Sequence, residues 1–426
     1  MNPASAPRLL PGIPALLLLL FLLPGCATRP QWTAPESTGQ VDFLQHAESQ
    51  TRDGITVTVA IPDRETERRI FGVSLASVHI QPVWVRVDNQ GDRDRLLLKP
   101  GIDPMLYSPA EVAYQLSAAA GEAPDKERFF TAKEFRNPVP KGGTTSGFVF
   151  TRLDEGQKIV NIDLLGNHDL KSFLLLVKAP GLITDSSQVD FDHLYGQWTE
   201  IEDEKILRQV LASLPCCTTD ESGERFGDPL NLVFIGDRHA IFSALIRAGW
   251  KQTETTNSLA LRKTIASFLF GSRYLYSPIS PLYVFGRHQD AGFQKARESI
   301  SLRNHMRLWR TPYNFRGQEV YIGQVSRDIG VKFNSRTFTT HVIDPDLDHT
   351  RDNLMADLAY SQMVTRLGMV SGSRVSTPRK TYYNLTPDPY YSDGNRAVLF
   401  FSERRTPLDQ IDLLEWEHGL VDIIAR

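Results

Sequence analysis

The chain has few of the residues from which sites are most readily assembled. Of its 426 residues three are cysteines, Cys26, Cys216 and Cys217, which excludes a disulfide framework and a cysteine-based zinc site. A bridge between neighbours strains the intervening peptide, so Cys216 and Cys217 are expected as two thiols or in an intermolecular bridge. There is no Gly-x-Ser-x-Gly elbow, no P-loop or Rossmann glycine pattern and no His-Glu-x-x-His. A formal charge of −3, from 47 basic and 50 acidic residues, removes the basic footprint of a nucleic-acid binder. The long apolar run, Ala15 to Leu23, is shorter than the roughly 20 residues of a spanning helix. What remains, 41% hydrophobic and 23% charged, is ordinary globular composition, long enough for two or three domains.

The start, "MNPASAPRLLPGIPALLLLLFLLPGCATRP", places one basic residue before that apolar block and small residues after it, the pattern of a signal peptide. Its last part, Leu23 to Cys26, resembles the lipobox of bacterial lipoproteins. The resemblance implies that a leader of residues 1–25 is removed, that the Cys26 thiol takes a diacylglycerol, and that the new amino terminus is acylated, palmitate being the typical chain. Such chains hold a protein on a membrane without a spanning helix. The next residue is Ala27 rather than an inner-membrane-retaining Asp, so the expected address is the outer membrane, facing the periplasm. Residues 26–40, rich in Pro, Thr and Ser, read as a tether.

From 41 to 181, "GITVTVAI", "VHIQPVWVRVDNQGD", "SGFVFTRL" and "KSFLLLVKAPG" alternate or run apolar between turn residues, which predicts a β-sandwich. It is immunoglobulin-like in general character but lacks the Cys-Trp-Cys core. Residues 182–228 read as a linker with one helix, whose Leu207, Val210, Leu211 and Leu214 form an apolar stripe ending at Pro215. In 229–426, "PLNLVFIGDRHAIFSALIRAGW" is strand, turn and helix, with Asp237 as cap and Gly249 past the end. Strands at 282–286, 304–309, 318–325 and 338–343 and a helix over about 345–367 follow. The class is α+β, with helices on a largely antiparallel sheet.

"THVIDPDLDHTRDNL", residues 340–354, concentrates polar groups at a strand–helix junction. Asp344 before Pro345 suits an N-cap, and Asp346 and Asp348 suit a first turn. As a calcium loop the stretch fails, with His349 at the required glycine and Met355 at the required glutamate. His341 ends its strand at that junction. Other strands end alike: Arg287, His288 and Asp290 follow "PLYVF", Arg303, His305, Arg307 and Trp309 alternate to one face of "RNHMRLW", and Arg327 and Asp328 close "VYIGQVS". Brought together, these would form a basic pocket for a phosphate or one metal. His305 and His341 would then act as acid, base or metal ligand with Asp328 or Asp344, while Arg287, His288, Asp290, Arg307 and Arg327 hold an anionic substrate. Period-two strands oppose this, because they send alternate residues to opposite faces.

The stretches "PLNLVFIGD", "AGW", "YSPISPLYVFGRHQDAGFQKA", "RNHMRLW", "VYIGQVSRDIGV" and "THVIDPDLDHTRDNL" occur in order, and residues 229 to about 370 resemble the LssY-like C-terminal domain. The resemblance implies work at the cell envelope, near lipid-linked phosphates, without naming a reaction. Two functions follow: a binding or accessory module on a membrane-anchored lipoprotein, or an envelope hydrolase or phosphoesterase using the His/Asp/Arg pocket. The expected partners are the membrane, through the lipid, and an envelope protein or anionic phosphorylated ligand, with no nucleic acid. No cofactor or metal is assigned.

Overall fold

Alternating apolar residues in the first half build two facing sheets. The structure, a computed structural model, describes Trp32, Pro35 and residues 43–117, 123–255, 276, 278–296, 303–334 and 338–416, with backbone alone at 123 and 331–341. The leader and Cys26 lie outside the described residues. Strands β1 (Glu48–Arg52), β2 (Ile55–Ala60), β3 (Ile80–Asn89), β4 (Leu96–Leu97), β5 (Gly143–Arg152), β6 (Gly156–Gly166) and β7 (Asp169–Ala179) form antiparallel sheets ordered β1-β2-β3-β5 and β4-β6-β7. Val57, Val83, Val85 and Val87 of the first sheet meet Val160, Ile162, Phe173 and Leu175 of the second in one core.

Both sheets are apolar on their outer faces too, which a two-layer sandwich does not require. Helices α1 (Arg64–Phe71), α2 (Pro109–Gln115) and α3 (Ala123–Lys133) bury Phe71, Val112 and Phe130 against Phe148 and Phe150 of the first sheet. Ile159, Leu174 and Leu176 of the second sheet pack instead on the core of the C-terminal half.

That half contains β8 (Thr199–Ile201), β9 (Cys217–Thr219), β10 (Phe226–Pro229), β11 (Leu232–Ile235), β12 (Lys251–Gln252), β13 (Tyr283–Val284), β14 (Arg287–His288), β15 (Ala291–Ala296), β16 (Arg303–Phe315), β17 (Gln318–Asn334), β18 (Phe338–Ile343), β19 (Val364–Ser371), β20 (Tyr382–Tyr383), β21 (Pro389–Tyr390), β22 (Asn395–Phe401) and β23 (Asp412–Leu413). Its helices are α4 (Glu204–Ser213), α5 (Arg238–Arg247) and α6 (Leu347–Tyr360). The large sheet runs β12-β15-β16-β17-β11-β22-β19-β23, with β8 on β16 and β18 on β17. It is mostly antiparallel, with β11 and β22 parallel at its centre. A smaller sheet runs β10-β9-β13-β14.

Helices α5 and α6 cover one face of the large sheet through Ile241, Leu245, Leu354 and Leu358. Helix α4 covers the other through Leu207, Leu211 and Leu214, against Val233, Ile322 and Phe400. The stretch expected as a linker therefore contributes β8, α4, β9 and β10 to the C-terminal layers. Among the described residues no helix is long and apolar enough to cross a membrane.

Buried arginines hold the joints. Arg396, fully buried on β22, donates to the carbonyls of Leu211, Leu214, Pro215, Leu230 and Gly372, capping the C-terminus of α4 where helix carbonyls lack partners. The backbone is pinned there, with the Cys216 carbonyl accepting from Leu230 N and Ser373 Oγ. The expectation of unpaired thiols is corrected: with their backbone fixed side by side, Cys216 and Cys217 form a vicinal disulfide.

Candidate functional site

One face of two central strands changes from apolar to polar at the same level. Along β16, Trp309 is followed on its face by Arg307, His305 and Arg303; along β17, Val320 and Ile322 give way to Gln324, Ser326 and Asp328. The register sets Arg307 opposite Gln324 and His305 opposite Ser326. All of these polar residues are buried.

Their contacts are internal. His305 Nε2 lies 2.6 Å from Asp328 Oδ2. Arg307 donates from Nε and Nη2 to the Ser280 carbonyl and from Nη1 to Gln324 Oε1 at 3.0 Å. Arg303 Nη1 donates to Gln294 Oε1 at 2.7 Å. Burial lowers the pKa of His305, against the raising pull of Asp328. Burial also lowers Arg307, opposed by the carboxyls of Asp228, Asp328 and Asp185, and it raises Asp228 and Asp185. Two guanidiniums thus face three carboxyls. An anion would meet these carboxyls and would find no uncommitted fork on Arg307, whose Nε, Nη1 and Nη2 already donate to Ser280 and Gln324.

His305, Arg307 and Asp328 are therefore brought together, and the other expected site residues are placed elsewhere. Arg327 lies on the opposite face of β17 and donates to Asn304 Oδ1. Arg287 forms a bidentate pair with Asp290, both bonds 2.9 Å, and also donates to Tyr195 Oη and the Arg310 carbonyl. This second cluster lies near Arg310, five residues along β16 from His305, or roughly 17 Å at about 3.3 Å per residue. His288 is exposed, with Nδ1 2.8 Å from the Gln289 carbonyl. For His341 the structure describes the backbone, paired with Val331. The single convergent pocket is thus corrected to separate clusters, because strand alternation and length divide residues that look adjacent in sequence.

The strand–helix junction is corrected as well. The N-cap of α6 is Asp346, which accepts from His349 N, and not Asp344, whose Oδ1 accepts from Asp346 N in a turn one step earlier. Asp348 is buried and accepts from Ser392 Oγ, Asp393 N and Arg351 Nη1. Fully buried Arg351 also pairs with Asp352 and Asp393. This carboxylate thus anchors an arginine that was not singled out from the sequence.

Two polar atoms beside Arg307 were also missed. Asp228 Oδ1 and Gln324 Nε2 are buried without a hydrogen-bond partner. Gln324 was legible, since it precedes Ser326 and Asp328 at period two on β17. Asp228 was not, because "ERFGDP" reads as a loop.

Stability should fall with acid through His305. Its pKa is depressed in the folded chain, so above about pH 6.5, its ordinary value, both states hold the neutral ring. Below that value the unfolded chain binds the proton first. Stability should then drop by up to about 1.4 kcal/mol per pH unit. Urea titrations at pH 7.0 and 5.5 should show a smaller loss in His305→Gln than in the wild type; an equal loss would place the acid sensitivity elsewhere.

The molecule is thus a layered α+β protein whose C-terminal half encloses a buried His/Asp/Arg cluster. Residues 208–395 match the family model described as LssY C-terminus, so the chain carries an LssY C-terminal domain. The match begins within α4 and ends at the start of β22, wider than the resemblance, and contains Arg303, His305, Arg307, Gln324, Asp328 and Asp228 of the buried cluster but not Asp185. No curated protein and no solved structure matches the chain.

Proposed function

We propose that this is a bacterial envelope lipoprotein, anchored through Cys26 to the outer membrane on its periplasmic side, whose LssY domain serves as a binding or accessory module. The observation that carries the module reading is the fate of the charged strand ends. They resolve into internal contacts, Arg287 with Asp290, Arg307 with Gln324 and Ser280, and His305 with Asp328. Clefts of about 350 and 270 Å³ lie instead between the two halves, where Leu176 of β7 faces His239 of α5. Clefts between domains are common ligand and partner sites.

A second reading, an envelope phosphoesterase or other hydrolase, is supported by one specific observation: His305, Asp328, Arg303 and Arg307 do share a face, with the unpartnered Asp228 Oδ1 beside them. The two readings are separated by a phosphoester screen of the full chain, with His305→Ala as control. The module reading expects no turnover above the buffer blank. Turnover that His305→Ala abolishes while the melting temperature stays unchanged would overturn it.

A further inference from the structure

The tether is expected to be a loose spacer, yet one of its residues is docked. Trp32 Nε1 donates to the Phe71 carbonyl at the end of α1, at 2.6 Å. Its ring meets Phe129 of α3 edge-on with centroids 5.5 Å apart, and the ammonium of buried Lys126 lies 5.7 Å from its centre. These contacts join Trp32 to the apolar layer formed by Phe71, Val112 and Phe130. The next described stretch returns to the same layer, where Phe43 packs on Trp84 and Phe148.

Cys26 precedes Trp32 by six residues, which fully extended reach roughly 20 Å, at about 3.3–3.6 Å per residue. The cores connect the layers in sequence: helices α1–α3, the first sheet, the second sheet, α5 with α6, the large sheet, and α4, with Arg64 of α1 also reaching Glu155 at the edge of the second sheet. Each successive pair shares one of four continuous cores. At about 10 Å per layer, α4 lies up to roughly 50 Å from the helices that hold Trp32.

We infer that Trp32 clamps the chain so that the α1–α3 layer rests on the membrane and the LssY domain is displayed away from it. The inference rests on the proposed lipidation of Cys26. Its physical basis is the short covalent reach beyond Trp32. With that clamp released, the chain to Phe43 is 17 residues, which could extend roughly 55–60 Å and impose no orientation. The N-terminal half is then a stand-off that carries the second domain to a partner in the periplasm or beyond.

Full-length lipidated protein in phosphatidylethanolamine and phosphatidylglycerol vesicles, with nitroxide on the headgroups, tests this. A fluorophore is placed by Glu127→Cys on α3 or by Ile206→Cys on α4, both exposed positions; the other described cysteines are paired. The expected result is several-fold stronger quenching at position 127 than at 206, a contrast that Trp32→Ala removes. Equal quenching in protein that floats with the vesicles would overturn the orientation, as would a contrast that survives Trp32→Ala. Failure to float, with no mass increase at Cys26, would overturn the anchoring on which the inference rests.

Discussion

Replacing Arg396 with methionine is expected to lower the melting temperature of the C-terminal domain by roughly 10 °C. The side chain is similar in length, so the change removes charge and donors more than volume. Arg396 serves five backbone carbonyls and no carboxylate. Burial holds its pKa down at about 10, which still leaves it charged at neutral pH. Each buried acceptor left without a donor costs about 1–3 kcal/mol, and entering water recovers part of this, so a net loss of about 3–5 kcal/mol is reasonable. The carbonyls belong to the end of α4, the turn before β11 and the turn after β19, so the loss should be cooperative. Scanning calorimetry measures it, and a shift under 2 °C would show that these joints do not depend on the guanidinium.

Asp328→Ala should be nearly as severe. The aspartate accepts from His305 and lowers the cost of holding Arg303 and Arg307 in the interior. Removing one partner from a buried ionic set leaves uncompensated charge, typically at about 3–5 kcal/mol. Asp228 and Asp185 are poor substitutes, because burial already disfavours their ionised forms. Asp328→Asn retains an acceptor and should lose less. Urea unfolding of both variants checks the ranking. An unchanged midpoint for Asp328→Ala would mean that solvent or ions reach the cluster and screen it, contrary to a closed interior.

Much of the architecture could be read from periodicity. Val83, Val85 and Val87 announce a half-buried strand, and they face the second sheet as that pattern requires. The strand–turn–helix at 232–247 keeps its Asp237 cap and its Gly249 exit, where φ is 86°. Less legible was the layering. "KIVNIDLLG" and "SFLLLVKA" are apolar on both faces because each sheet of the N-terminal half is covered twice, and a sequence shows that a second face is apolar without showing what covers it. Helix α4 looked like a linker for the same reason, since its stripe identifies a buried face but not the sheet that buries it.

The candidate site was legible where one strand carried it and not beyond. His305 and Arg307 share a face because they are two residues apart, and Asp328 reaches them through the register of a single hairpin. Arg287, Arg327 and Asp344 also end strands, but facing direction and distance along the sheet depend on register and turns that residue type does not encode. Asp348 and Arg351 show the complementary failure. Three residues apart on a helix, they could be paired from sequence, but Asp393, the partner that completes their network, lies more than 40 residues away.

The most direct test of the central claim, that the charged cluster of the LssY domain is a closed interior, is the NMR titration of the His305 ring in the full chain, assigned by comparison with His305→Gln. The expected result is a ring that is protonated only below about pH 6.5, its ordinary value, and does not respond to millimolar inorganic phosphate. Protonation near pH 6.5, with a shift that phosphate moves, would show an open anion site and contradict it.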